Sequence, residues 1–168
     1  MNALFDLVGA FFTHPECFRV LVWWLALAGL GIAFLPLTLR LFRGFHDGGY
    51  LFARVLGLLL TSWAVWLAAS IGLAPFSGTT ISAAVALAAA LNYAPASARS
   101  GVREFLRHKA RIVVAEEYLF LLAFLAWAFL RSVKPEVDSI EKFMDLGFVN
   151  AVLRAEWMPP ADMWLSGK

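Results

Sequence analysis

Glu141 and Asp145 stand four residues apart, just after the sequence leaves its last apolar run. They belong to the closing stretch from Arg131 to Lys168, RSVKPEVDSIEKFMDLGFVNAVLRAEWMPPADMWLSGK. Six of the chain's 12 acids fall there: Glu136, Asp138, Glu141, Asp145, Glu156 and Asp162. On a helix, like charges at this spacing repel by roughly 0.2–0.5 kcal/mol. A divalent cation, Lys142, Arg154 or a basic group elsewhere would offset that cost, so the pair suits cation binding or proton transfer. Spacing alone favours the plainer reading, a solvated loop helix with incidental acids.

Local signals set this stretch in order. Asp138-Ser-Ile-Glu141 has capping-box spacing and predicts a helix start. Helical periodicity then puts Ile140, Phe143, Met144, Gly147 and Ala151 on one apolar face, with Glu141 and Asp145 on an adjoining one. Met158-Pro-Pro-Ala-Asp-Met-Trp164 reads as a rigid, extended turn. Pro159 disfavours helix at Met158, so the helix is expected to stop near Trp157. Asp162 is placed to face a polar ligand. Trp157 and Trp164 serve equally well as interfacial anchors.

Composition says what must position these residues. The chain has 168 residues, 61% hydrophobic and 15% charged, with a mean hydropathy of +0.74. That is far more apolar than a soluble domain and points to an all-α integral membrane bundle. The net charge of +2 is too small to argue for nucleic acid. Cys17 is the only cysteine, so no internal disulfide forms. No basic segment precedes the first apolar run, and no cleaved signal peptide is expected.

Four segments are read as spans, near 20–42, 50–73, 79–98 and 112–130, with Pro36 as a kink. Residues 1–17 are read as a short interfacial helix ending near His14-Pro15. This divides the chain into a membrane bundle, 1–132, and an extracytoplasmic acidic segment, 133–168. Arg40, Arg43 and Arg54 flank the first connection, and Arg99, Arg103, Arg107, Lys109 and Arg111 crowd the third. The second, residues 74–78, has no charge. Positive-inside bias then places the basic connections in the cytoplasm of an inner membrane, with the N-terminus and the acidic segment outside. The alanines of the third segment suit close packing among neighbouring helices.

The remaining ionisable groups have plainer readings. Glu116 and Glu117, near the start of the fourth span, are expected to form interfacial ion pairs close to Lys109 and Arg111. Arg54 can snorkel. His14, His46 and His108 are too dispersed for a histidine metal site. There is no phosphate-binding glycine loop, dinucleotide fingerprint, Cys-x-x-Cys or Gly-x-Ser-x-Gly.

At Glu141-Lys-Phe-Met-Asp145 the chain resembles the N-terminal part of the "YYY" membrane proteins, a domain of unknown function grouped with the GT-C glycosyltransferases. The resemblance is carried by Arg131, Pro135-Glu136, Glu141-Lys142, Met144-Asp145, Phe148, Asn150, Arg154, Pro159-Pro160, Asp162, Trp164 and Gly167. A weaker match lies in Gly49-Tyr50, Arg54, Gly57-Leu58 and Trp66. It implies a multi-helix fold with an acidic residue of the first outer loop at the catalytic centre, and a polyprenyl-phosphate sugar as donor. By position Asp145 matches the catalytic acid, assisted by Glu141 or Asp162, with a divalent metal as one option. The family continues past the position of Lys168 into its tyrosine motif and further spans. The sequence is accordingly expected to be an N-terminal piece of a longer protein or a shortened relative. The alternative function is a non-catalytic subunit that docks other membrane subunits through the third span and the outer segment.

Overall fold

A computed structural model describes Gly9, residues 17–133 and residues 140–162, the side chains of 140–142 excepted. The expected N-terminal interfacial helix, and Asp138 of the capping box, lie outside the described residues. Those residues form helices and turns and contain no strand. The helices are α1 (Cys17–Leu41), α2 (Phe52–Ser70), α3 (Gly78–Tyr93), α4 (Ala96–Val133) and α5 (Ile140–Arg154). By length and composition α1, α2 and α4 are fit to cross a membrane, and α3 is a shorter apolar helix.

The α1–α2 hairpin holds most of the core: Ala33, Phe34, Leu35, Ala53, Val65 and Ala69 are buried. Gly57 sets how closely the pair can approach. A Cβ there would lie 2.7 Å from Leu30 Cγ and 3.2 Å from the Phe34 ring. The hairpin turn needs glycine for a second reason. Gly49 has φ of 73°, and a Cβ on it would meet the Phe42 ring at 2.8 Å. Phe42 stacks on Phe52 across the turn, with ring centroids 5.1 Å apart.

Helix α1 continues through Pro36, which is buried. Proline has no amide hydrogen, so the carbonyl four residues earlier loses its helical donor. That carbonyl belongs to Ile32, and the Tyr93 hydroxyl donates to it at 2.8 Å. The Asn92 side-chain amide donates to the next carbonyl, that of Ala33, at 3.0 Å. The end of α3 thus replaces what Pro36 removes.

Four expectations change. The third segment is helical for only 16 residues, ending at Tyr93, so it spans about 24 Å against a core of ~30 Å. Pro95 cannot extend the ladder, and the chain restarts there, with Ala98 N–H donating to the Pro95 carbonyl. Nor is α3 enclosed by its small residues, because none of them is buried. The basic third connection is not a loop. Arg99 to Arg111 form the first turns of α4, a single helix of 38 residues. This half of α4 crosses the end of the α1–α2 hairpin, with Ala98 and Val102 buried beside Pro36 and Phe105 beside Gly48. Finally, α5 ends at Arg154 rather than near Trp157, because the Glu156 carbonyl turns outward to accept from Phe76 N–H at 2.6 Å.

Candidate functional site

The acidic segment contributes one exposed helix and one groove. Asp145 lies on α5 and faces outward. Glu141 lies one turn earlier on the same helix, and its side chain is outside the described residues. Asp162 sits elsewhere. It lines a groove with Gly147, Asn150, Ala151 and Arg154. At 100° per residue those positions lie roughly 140–240° around α5 from Asp145. Asp145 and Asp162 therefore occupy different faces, and they do not converge on one point. The segment is fixed to the bundle at the α2–α3 turn by the Phe76–Glu156 main-chain bond and by Met158, which is buried. That turn is the end of α2 away from the basic hairpin turn.

Among the described residues, no three histidines, cysteines or carboxylates come together in a way that could hold an ion. Asp145, on α5, and Asp162, beyond its end, stand on different sides of that helix, so these two do not share one cation site.

A second polar cluster lies inside the bundle. Arg54, in the first turn of α2, forms an ion pair through Nη2 with Oε1 of Glu117 on α4. The side chains are 6% and 22% exposed, respectively. The Tyr50 hydroxyl donates to the same Glu117 oxygen at 2.6 Å. The guanidinium lies 4.0 Å from the centroid of the Phe120 ring, within cation–π range. Gly31 leaves room for the arginine stem, since a Cβ there would stand 3.0 Å from Arg54 Cγ. Arg54 Nη1 and Glu117 Oε2 are buried with no hydrogen-bond partner.

This cluster was not anticipated. Glu117 pairs with Arg54 across the bundle and not with Lys109 or Arg111 along its own helix. The available signal was the spacing of Tyr50 and Arg54, one turn apart, and two acids within an apolar run. Sequence distance hid it, since 63 positions separate the ion pair.

Three helices of spanning length, apolar outer surfaces and an ion pair sealed between them define an integral membrane protein of α-helical class. The chain belongs to the family described as Uncharacterized membrane protein (DUF2298), which matches residues 60–168. No curated protein and no solved structure matches it.

Proposed function

We propose that the chain is the N-terminal module of a GT-C-like membrane glycosyltransferase, taking a sugar from a polyprenyl-phosphate donor on the outer face. Asp145 is the working acid of this reading. It accepts the proton of the acceptor hydroxyl as that oxygen bonds to the anomeric carbon. The bond from that carbon to the donor phosphate breaks, and the phosphate leaves on the lipid. Glu141 assists from one turn earlier. Asp162, beside Arg154, lines the neighbouring groove.

The observation that carries the reading is the position of α5. The Phe76–Glu156 bond holds its exposed carboxylate at the uncharged α2–α3 end, away from Arg40 and Arg43. Positive-inside bias puts that end outside, where a lipid-linked donor presents its sugar. Labelling tests this in a Cys17→Ser background. Asn150→Cys should react with an impermeant maleimide added outside, and Arg43→Cys only after the membrane is opened. An Asn150→Cys protein labelled only from the cytoplasm removes the reading.

A second reading has its own support. Ala98 and Val102 are the only buried residues among those described in α4, so its spanning half offers an open apolar face. A non-catalytic subunit would dock further helices there. In that case substituting Asp145 changes assembly and no rate.

A further inference from the structure

At the opposite end of the bundle, the α1–α2 turn and the first half of α4 line an open cavity of about 430 Å³. Its walls combine two chemistries. Arg40, Arg43, His46 and Lys109 line it together with Leu39, Phe45 and Phe105. No acidic residue lines it. Among the described residues no carboxylate pairs with Arg40, Arg43 or Lys109. Asp47 and Glu104 are sequence neighbours of lining residues but are not part of the wall.

Three guanidinium or ammonium groups left unpaired around a half-apolar cavity make a site of defined chemistry. Arginine matches a phosphate through two parallel N–H donors, and lysine adds a point charge. Arg40 and Arg43 stand at the end of the spanning helix α1 and just beyond it, where basic residues meet lipid headgroups. A volume of this size lies within the range of small-ligand sites. A free phosphate would use the cations and leave the apolar wall without a role. An anionic lipid uses both.

We propose that this cavity binds the phosphate headgroup of an anionic lipid against Arg40, Arg43 and Lys109, with the first carbons of the lipid along Leu39 and Phe105. The site is separate from the acidic segment, and it stands whether or not that segment transfers sugar.

Gly101 supplies the decisive variant. It lines the cavity, and a Cβ on it meets nothing within 4 Å, so Gly101→Leu adds bulk at the wall with room for its first carbon. The experiment uses the full chain in nanodiscs of phosphatidylcholine, with or without phosphatidylglycerol, and reads retained lipid by native mass spectrometry. The protein should retain phosphatidylglycerol in preference to phosphatidylcholine. Arg40→Gln/Arg43→Gln should weaken that retention about thirtyfold. Gly101→Leu, with every charge intact, should lose the preference while keeping its thermal midpoint in phosphatidylcholine. Equal retention of both lipids overturns the proposal. So does inorganic phosphate that raises the thermal midpoint as much as phosphatidylglycerol does, because the site then takes free anion. A Gly101→Leu protein with unchanged preference also overturns it, since the attraction is then a surface charge effect.

Discussion

The Tyr93 hydroxyl donates to the main-chain carbonyl of Ile32, at 2.8 Å, four residues before Pro36. A proline inside a membrane helix frees a carbonyl where no water can satisfy it, and here a neighbouring helix supplies the donor. The bond explains why α3, too short to reach across a bilayer alone, is held at a fixed depth against α1.

A mutant cycle follows from that bond. Tyr93→Phe should lower stability by about 1 kcal/mol, the usual worth of such a hydrogen bond. Pro36→Ala returns an amide to the Ile32 carbonyl, so in that background Tyr93→Phe should cost clearly less. Thermal unfolding in detergent measures both. Equal costs in the two backgrounds would show that the hydroxyl does not act through Ile32.

The Arg54–Glu117 pair gives an asymmetric prediction. Removing one partner leaves a buried charge uncompensated, so Glu117→Ala should destabilise by roughly 3–5 kcal/mol. Removing both charges with apolar residues of similar size restores most of that loss, because neither ion must then be desolvated. Arg54→Met/Glu117→Leu should therefore unfold at a higher temperature than Glu117→Ala alone. A double variant less stable than the single one contradicts the account.

Two glycines of the hairpin should behave differently. Gly57→Ala drives a methyl to 2.7 Å from Leu30 and should cost about 1–3 kcal/mol by overpacking. Gly29→Ala meets nothing within 4 Å and should be neutral or slightly stabilising, since alanine favours helix. Denaturation midpoints of the two variants decide it, and equal losses would contradict the close approach at Gly57.

Hydropathy alone made the helical membrane class legible, because a bilayer demands long apolar runs and these residues supply them. Local chemistry was less legible. Pro95 is visible in the sequence, yet the uncharged run to Ala98 masks its effect on α3. Basic residues from Arg99 to Arg111 read as a loop because charge suggests solvent, whereas Ala98, Val102 and Phe105 give that stretch a packed helical face. The Arg54–Glu117 pair was hidden because it depends on how α2 and α4 meet. Glu141 and Asp145 could be placed on one helix from spacing. That Asp162 faces the other side of α5 depends on the turn after Arg154, which obeys Phe76 from a distant part of the chain.

The role of Asp145 is tested most directly by turnover. Membranes carrying the gene product, or its Asp145→Asn variant, are given labelled polyprenyl-phosphate sugars, and sugar transferred to acceptor is measured. Asparagine keeps the shape and removes the base, so transfer should fall about a hundredfold or more while the amount of folded protein stays constant. Glu156→Gln, whose contact with the bundle is made by its main chain, should leave transfer near normal. An Asp145→Asn protein that transfers sugar at the unaltered rate would contradict the account and remove Asp145 from the chemistry.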